Sequence, residues 1–329
     1  MKGYPMKKVL VTQWLPESAK KDTPDGFELI HPPKDNPIYT PEALRDAVSD
    51  ADGVLTILTR MPKELIDAAG KLRAIGNFGV GFDNIDYMYA GSKGIFVVNT
   101  PNSVMHPTAE VAMGLIIAAT RGLVRHDRAL RVAKRVTMEA FPEDDTMLYG
   151  KMLGVVGFGR IGKAVARKAK GMGMRILYHD VIKADAEIEQ ELETSLCDLD
   201  TLLKTSDVVT MHCPYTPENH HLMNERAFSL MKPSAYFINS ARGPVHDEKA
   251  LAAALRTGGI KGAGLDVFED EPEILPELFD LDNLIMVPHV GTSAFDVRVA
   301  ICRESLGGIY ACLSGDMPSN IVNLDYFPK

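Results

Sequence analysis

Short apolar runs alternate with amphipathic stretches along most of the chain. In its first part, apolar runs predict strands at residues 8–13, 27–30, 53–58, 73–76 and 95–99. Between these runs, residues 41–49 and 62–69 have apolar positions at helical spacing, with Thr40 placed as the N-cap of the first helix and Gly70 after the second. This alternation predicts a parallel sheet with helices on both faces.

The same alternation resumes after residue 150. Apolar runs predict six further strands, at residues 152–156, 174–178, 207–212, 235–239, 260–266 and 284–287. Residues 108–122 and 294–313 predict the helices that leave the first region and return to it, after a hinge at residues 99–102. We therefore expect an α/β chain with two doubly wound parallel-sheet domains, residues 1–102 with 294–329 and residues 103–293.

A glycine-rich turn joins the first predicted strand of the second domain to the helix that follows. Residues 157–162 are Gly-Phe-Gly-Arg-Ile-Gly, and the next strand ends at Asp180. In a βαβ unit, Gly157 permits the tight turn and Gly159 lets the backbone approach a pyrophosphate, while Gly162 lets the helix pack closely on the strand. The strand, helix, second strand and terminal acid occur together, so the pattern predicts a dinucleotide site at the helix N-terminus.

The acid at the end of the second strand sets the expected cofactor. Asp180 is placed to accept hydrogen bonds from the ribose hydroxyls, and it would repel a 2′-phosphate. We therefore expect NAD rather than NADP, although the neighbouring His179 and Lys183 reduce that preference.

Composition excludes several other classes of protein. A net charge of −8 over 329 residues provides no electrostatic footprint for nucleic acid. The four cysteines have no metal-ligand spacing and are expected to be reduced thiols, so we expect no metal site. The long apolar stretch at residues 104–123 contains charged residues, which favours a buried helix over a membrane span. We expect a cytoplasmic protein without a membrane partner.

Polar residues follow the last predicted strands of the second domain. Arg242, Asp266 and His289 each stand at or just after a strand end, and ligands of open α/β sheets bind outside the carboxyl ends of the strands. Taken singly, Arg242 could equally be a surface cation, Asp266 an N-cap and His289 a core histidine. Together they predict a site in which a nearby carboxylate orients His289 as an acid/base and Arg242 binds a substrate carboxylate. The substrate that fits is a small acid with a carbonyl or hydroxyl beside its carboxylate, and hydride exchange with a nicotinamide completes the reaction.

A second glycine-rich loop lies in the first domain, at residues 79–86. Its two glycines allow consecutive N–H groups to point at an anion, which would form a nest. A plain turn before a helix fits the same pattern, so the residues alone leave the two interpretations open.

These motifs together resemble the D-2-hydroxyacid dehydrogenase family, which includes glyoxylate/hydroxypyruvate reductases, D-lactate dehydrogenases and phosphoglycerate dehydrogenases. The resemblance covers nearly the whole chain and is carried by residues 79–86, 99–102, 107–110, 154–162, 212–217, 239–243, 247–248, 264–268, 271–272 and 288–292. It implies a flavodoxin-like substrate domain, a Rossmann NAD-binding domain and a cleft between them.

The resemblance also implies roles for individual residues. Arg242 would bind the substrate, His289 would be the acid/base and Glu271 would keep His289 protonated, Glu271 being chosen over Glu269 and Asp270 because a proline follows it. The N–H groups of Val80 and Gly81 would hold the substrate carboxylate. The implied cofactor contacts are Gly157, Gly159, Arg160, Ile161, Gly162, Asp180, Cys213, Pro214, Ser240, Ala241, Asp266 and Thr108.

Relatives commonly dimerise through the nucleotide-binding domain, and residues 125–148 lie where the dimer arm would be. Many relatives carry a tryptophan in this arm, whereas this chain has Phe141-Pro142. We thus expect a homodimeric, NAD-dependent enzyme that reduces a small 2-ketoacid such as glyoxylate or hydroxypyruvate to the D-2-hydroxyacid.

Three alternatives remain at this stage. One is phosphoglycerate dehydrogenase activity, which the lack of extra positive charge before the nest disfavours. The second is an NADH-sensing protein like the corepressors that share this fold. This alternative is disfavoured because the sequence shows no disordered extension that would suggest a scaffold. The third is a methyltransferase that uses the glycine-rich loop for S-adenosylmethionine.

Overall fold

The computed structural model describes residues 6–136 and 145–328. The chain divides into two compact units, one formed by Met1–Val104 and Ala294–Lys329 and the other by Met105–Ser293. Phe141-Pro142 and part of the expected dimer arm lie outside the described residues.

The first unit contains a five-stranded parallel sheet. Its strands are β1 (Lys7–Val11), β2 (Phe27–Ile30), β3 (Gly53–Thr56), β4 (Ala74–Asn77) and β5 (Phe96–Val98), in the order β2-β1-β3-β4-β5. This order is that of flavodoxin-like sheets, as expected. The helices of this unit are α1 (Glu17–Lys20), α2 (Pro41–Val48), α3 (Lys63–Ala68), α4 (Tyr87–Ser92) and, from the end of the chain, the long helix Phe295–Ser314.

Local sequence explains how these helices start and pack. The Thr40 hydroxyl accepts a hydrogen bond from the N–H of Ala43, so it caps α2 as predicted. The helix Phe295–Ser314 packs on β3 and β4, where Gly76 leaves room for it. A Cβ on Gly76 would lie 2.3 Å from Oγ of Ser305, so no larger residue fits there without a shift.

The second unit contains a six-stranded parallel sheet. Its strands are β6 (Met152–Val156), β7 (Arg175–His179), β8 (Val208–Met211), β9 (Tyr236–Asn239), β10 (Gly262–Leu265) and β11 (Leu284–Met286), in the order β11-β10-β9-β8-β6-β7. Strand order reverses between β6 and β8, which is where doubly wound sheets bind dinucleotides. A parallel bridge between Tyr178 and Leu196 stands where a further strand beside β7 would complete the Rossmann order.

Helices cover both faces of this sheet. They are α5 (Met105–Thr120), α6 (Leu123–Ala133), α7 (Arg160–Gly171), α8 (Ala186–Leu192), α9 (Leu199–Thr205), α10 (Glu225–Leu230) and α11 (Glu248–Arg256). The helix Phe295–Ser314 of the first unit is α12. Two apolar clusters fill the space on either side, one around Phe237 and Leu251 and the other around Val155 and Ile116.

The long apolar stretch forms α5, which buries Ala112, Leu115 and Ile116 among other residues, as the sequence predicted. Within residues 6–136 and 145–328, no single helix has the length and apolar composition of a membrane span. α5 and α6 meet that test only when taken together, across a 57° bend.

All eleven predicted strands are present, and the differences lie at their ends. For example, residues 260–266 were expected to form one strand, whereas β10 is only Gly262–Leu265. The flanking residues still form backbone hydrogen bonds beside β9, from the Lys261 N–H to the carbonyl of Ala235 and from the Asp266 N–H to the carbonyl of Asn239. Apolar character therefore extends beyond the strand, because the adjoining turns are buried as well.

Candidate active site

The loop after β9 carries Arg242 and is held by the buried side chain of Asn239. The Asn239 amide donates to the carbonyl of Arg242 at 2.9 Å, and its oxygen accepts from the N–H of Ala241 at 2.9 Å. The same amide nitrogen lies 3.0 Å from Nδ1 of the buried His246, which therefore accepts its second hydrogen. Asn239 thus fixes the backbone from which the Arg242 side chain projects, a role that no sequence spacing indicated.

Glu271 and His289 form a hydrogen-bonded pair at the ends of β10 and β11. Oε2 of Glu271 lies 2.8 Å from Nδ1 of His289, while its Oε1 accepts from the N–H of Phe268 at 3.0 Å. His289 has a left-handed backbone conformation with φ of 51°. The predicted neighbours are thus brought together by two short turns, and Nε2 of His289 is left for other contacts.

The pair perturbs the pKa of both members. The hydrogen bond from Glu271 raises the pKa of His289 above its ordinary value, in spite of its burial and the nearby positive charge of Arg242. Burial alone would raise the pKa of Glu271, but the hydrogen bonds from His289 and from the Phe268 N–H outweigh it, and the pKa is lowered. Both shifts favour the charged pair, a carboxylate beside an imidazolium.

The Arg242 loop and the Glu271 loop are in direct backbone contact. A Cβ on Gly243 would lie 1.9 Å from the carbonyl oxygen of Phe268 and 2.4 Å from the N–H nitrogen of Glu269. Only glycine therefore allows this approach. The N–H of Glu269 in turn donates to the buried Glu248 at 2.9 Å, which holds the second loop in place. Neither Gly243 nor Glu248 was identified as a positioning residue from the sequence.

Asp266 is buried at the end of β10. Its two carboxylate oxygens accept from the N–H of Val290 at 2.6 Å and of Gly291 at 2.9 Å, directly after His289. Burial raises the pKa of Asp266. Thr108 lies beside the same turn, since a Cβ on Gly291 would be 3.2 Å from Asp266 and 3.5 Å from Thr108. Two predicted cofactor residues therefore meet next to the acid/base pair.

The glycine-rich turn has the shape required for a dinucleotide. Gly157 has φ of 90°, and a Cβ there would lie 2.3 Å from the backbone nitrogen of Cys213. A Cβ on Gly162 would lie 2.1 Å from the carbonyl oxygen of Gly157, whereas nothing lies within 4 Å of the equivalent point on Gly159. The first and last glycines thus pack the turn closely, and the middle one leaves an open approach to the N-terminus of α7, as the pattern predicted. Arg160 and Ile161 are the first two residues of α7.

Asp180 follows β7 beside this turn. Its carboxylate accepts from the N–H of Phe158 at 2.5 Å and from the N–H of Ile182 at 3.0 Å. A carboxylate has about four acceptor positions, so Asp180 can still accept from a ribose hydroxyl. The other predicted cofactor residues lie at strand ends of the same sheet, namely Cys213 and Pro214 after β8 and Ser240 and Ala241 after β9. Oγ of Ser240 is buried, and within the described chain it has no hydrogen-bond partner.

The predicted nest belongs to the first unit, in the loop after β4. Side-chain amides turn the carbonyl groups of this loop inward, with Asn77 donating to Gly81 at 2.5 Å and Asn99 donating to Val80 at 2.8 Å. Gly79 has φ of 147°, a conformation that favours glycine. Asn99 lies inside one of the motifs that carry the family resemblance and Asn77 stands two residues before another, but only the structure reveals their contacts.

A Rossmann sheet with a glycine-rich turn, an acid at the second strand end and a His–Glu pair at the last two strands defines a nicotinamide-dependent oxidoreductase. The sequence profile of the D-isomer specific 2-hydroxyacid dehydrogenase NAD binding domain matches residues 113–291. The chain belongs to this family of NAD(P)-dependent enzymes, which act on CH–OH groups.

Relatives of similar length support this assignment. A glyoxylate reductase of Thermococcus onnurineus is 40% identical over 321 residues, which cover 96% of this chain and 96% of that protein. The crystal structure of an NADPH-dependent glyoxylate/hydroxypyruvate reductase of Sinorhizobium meliloti, in complex with NADP and malonate, matches 98% of both chains with 30% identity and a TM-score of 0.83. A D-lactate dehydrogenase of Aquifex aeolicus, complexed with NAD and lactic acid, matches with 29% identity and a TM-score of 0.80, covering 98% of this chain and all of that one.

Proposed function

We propose that this D-2-hydroxyacid dehydrogenase reduces a small 2-ketoacid with NADH and uses Arg242, Glu271 and His289 as its catalytic residues. The observation that carries the proposal is the 2.8 Å contact between Glu271 and His289, which favours a protonated histidine. A protonated imidazole is the general acid that reduction of a ketone or aldehyde requires.

The proton and the hydride have separate sources. Because Nδ1 of His289 is engaged with Glu271, Nε2 donates its proton to the substrate carbonyl oxygen. Glu271 holds the ring in that orientation and stabilises its positive charge before transfer. The nicotinamide, when bound, supplies the hydride. In the direction of alcohol oxidation, neutral His289 takes the proton back.

Substrate binding is assigned to two sets of groups. Arg242 offers a planar, permanently charged guanidinium for the substrate carboxylate and carbonyl. The N–H groups of Val80 and Gly81 supply further donors for the carboxylate, an assignment supported by the inward-turned carbonyl groups of that loop.

We assign NAD rather than NADP as the preferred cofactor. His179 and Lys183, the two basic residues that could favour a 2′-phosphate, have other contacts. Nδ1 of His179 lies 3.0 Å from the carbonyl of Cys197, and Nζ of Lys183 lies 3.4 Å from Glu189. The residues after Asp180 are the exposed Val181 and Ile182, which offer no charge to a 2′-phosphate. Asp180 would repel that phosphate.

The names of the relatives favour glyoxylate or hydroxypyruvate as the substrate. The test is oxidation of NADH by the purified protein against glyoxylate, hydroxypyruvate, pyruvate, phenylpyruvate and 2-ketoisocaproate, with NADPH in parallel. Turnover of glyoxylate or hydroxypyruvate ahead of the larger acids supports the proposal. If NADH binds tightly but no 2-ketoacid is reduced, the proposal of enzymatic turnover fails and the sensor alternative gains weight.

A homodimer through α6 is a further part of the proposal. Among the residues that the structure describes, none in α6 is buried, although the helix carries Leu123, Leu130 and Val132. Burial of these side chains against a second copy would stabilise both helices. Light scattering on the wild type and on Leu130→Glu tests this, with a dimer expected for the first and a smaller species for the second. A monomeric wild type would contradict the assignment.

A further inference from the structure

A cluster of metal-ligand side chains lies outside the proposed catalytic residues. The cluster consists of His220, His221 and Glu269, which each place one ligand atom within 4.8 Å of the other two. Nε2 of His221 lies 2.6 Å from Oε1 of Glu269. No cysteine or histidine spacing in the sequence indicated this group, because Glu269 is far from the two histidines along the chain.

The backbone around the cluster is held by contacts on both sides. The N–H of His221 donates to the carbonyl of Pro244 at 2.9 Å, and His221 has φ of 51°. The N–H of Glu269 donates to the buried Glu248 at 2.9 Å. A non-glycine residue in the left-handed region is uncommon and persists only where the surroundings hold it, so the His221 side chain is presented from a fixed backbone.

The position of Asp247 adds a feature common to metal sites. Its Oδ2 lies 3.8 Å from Nδ1 of His221, on the opposite side of the ring from Glu269. Histidine ligands usually bind the metal with one ring nitrogen and direct the other to a carboxylate. Nε2 of His221, which already contacts Glu269, is therefore the ligand atom, and Asp247 lies on the Nδ1 side of the ring at 3.8 Å, too far for a direct hydrogen bond.

Full coordination needs one side-chain movement. The rings of His220 and His221 are stacked, with centroids 3.9 Å apart and planes 20° from parallel. Since ring nitrogens bind metals in the plane of the ring, His220 must turn to direct a nitrogen at the same ion as His221. His220 is exposed, so this rotation does not disturb the core.

We propose that His220, His221 and Glu269 bind one divalent transition-metal ion, with Zn²⁺ as the probe. Two imidazole nitrogens and one carboxylate oxygen form a ligand set that suits Zn²⁺, and water completes the tetrahedron. On binding, the ion takes the place of the hydrogen between Nε2 of His221 and Oε1 of Glu269, and the proton passes to solvent. The metal thus replaces the hydrogen bond between them.

The site would lie on the loop that leads to Glu271. Glu269 is two residues before Glu271, and the backbone of Phe268 and Glu269 contacts Gly243, next to Arg242. A bound ion would tie this loop to residues 220–221. The inference of a metal site stands on this geometry alone and does not depend on the proposed reaction.

The test is calorimetric titration of the chelator-treated, full-length protein with ZnCl₂. We expect saturable binding of one ion per chain. His220→Ala and Glu269→Gln should each weaken it by at least about tenfold, because loss of even an outer-shell partner costs about 10–100-fold. His221→Asn should act in the same way while keeping the backbone, since asparagine tolerates the left-handed region.

His126→Ala is the matched control. Nε2 of His126 lies 2.9 Å from Asp145, an exposed histidine–carboxylate pair that is not part of a group of three potential ligands among the described residues. This variant should bind Zn²⁺ like the wild type. Thermal unfolding gives a second readout, in which ZnCl₂ should raise the Tm of the wild type and of His126→Ala but not of His220→Ala.

Two results would overturn the inference. One is unchanged Zn²⁺ affinity in both the His220→Ala variant and the His221→Asn variant. That result would place the ion elsewhere, for instance at the His289–Glu271 pair. The other is a wild-type titration without saturation. Neither result would alter the proposed reductase activity, which is measured separately.

Discussion

Glu271 contacts His289 at 2.8 Å with one carboxylate oxygen and accepts from the N–H of Phe268 with the other. The carboxylate therefore cannot rotate without losing one of these bonds. The ring of His289 is oriented by a group that is itself fixed, and the left-handed backbone at His289 is held at the same turn. This arrangement determines both which nitrogen is available and which charge state is favoured.

The pH dependence of ketoacid reduction should report this contact. Because Glu271 raises the pKa of His289, reduction should decline as pH rises through that raised pKa, where the histidine loses its proton. Alcohol oxidation should show the opposite trend, since it needs neutral His289. In Glu271→Gln the decline should begin at lower pH, because the gain from the carboxylate is lost. The measurement is kcat/KM against pH in both directions.

The histidine itself is tested by His289→Asn. Asparagine adopts the left-handed conformation with little strain, so the turn should persist while the acid is lost. We expect kcat for reduction to fall about 10²–10⁴-fold, with NADH affinity retained. Flat pH profiles in the wild type, or a variant that keeps its turnover, would remove His289 from this role.

Asp180 should control the choice between NADH and NADPH. In Asp180→Ser, the carboxylate that we propose faces the ribose is replaced by a small hydroxyl, so repulsion of a 2′-phosphate should disappear. The ratio of kcat/KM for NADH to that for NADPH should fall, mainly through KM. Glu189→Gln serves as the control, because Glu189 holds Lys183 and not the ribose position. An unchanged ratio in Asp180→Ser would contradict the assigned preference.

Much of the fold was predictable because its signals are local. A buried parallel strand reads as a short apolar run, and the turn at Gly157 and Gly162 requires glycine for steric reasons that are visible in the motif. The strand-end rule likewise identified Arg242, Asp266 and His289, because topology alone brings such positions to one edge of a sheet. Within the family resemblance, Glu271 was distinguished from Glu269 and Asp270 only by the proline that follows it.

The supporting residues could not be predicted, because their roles depend on contacts between distant segments. Asn239, His246 and Glu248 are polar side chains that are buried by the packing of helices and loops, and nothing in their spacing distinguishes them from surface residues. Leu196 lies beside β7 as a single bridge, too short for an apolar run. The cluster of His220, His221 and Glu269 has the same origin, since it forms only when two loops meet.

Gly243→Ala should separate the Arg242 loop from the Glu271 loop. The added Cβ would lie 1.9 Å from the carbonyl oxygen of Phe268, and backbone atoms cannot move aside as a flexible side chain can. We expect a large loss of kcat together with a lower Tm. Gly114→Ala is the matched control, since nothing lies within 4 Å of its added Cβ and the position is inside α5. That change should raise stability by up to about 1 kcal/mol and leave turnover intact. Wild-type kcat in Gly243→Ala would mean that the close contact is unnecessary.

His246 should make the protein sensitive to mild acid. Burial lowers the pKa of His246 to about 4, whereas an unfolded histidine titrates near its ordinary value of 6.5. Because the pKa of His246 is lower in the folded state than in the unfolded state, its contribution to stability is fully present above pH 6.5. That stability is lost as pH falls from about 6.5 to about 4, where the unfolded state binds the proton first. Between pH 7 and pH 5 this amounts to about 2 kcal/mol of unfolding free energy.

The measurement is denaturant unfolding at pH 7 and pH 5 for the wild type and for His246→Gln. Glutamine can offer an oxygen to the Asn239 amide but does not titrate, so its stability loss between the two pH values should be smaller by about 2 kcal/mol. Protonation of Nδ1 would also remove the acceptor that orients Asn239, and with it the support of the Arg242 loop. Equal losses in the two proteins would show that His246 is not held neutral by the fold, and the acid sensitivity would then have to come from other groups.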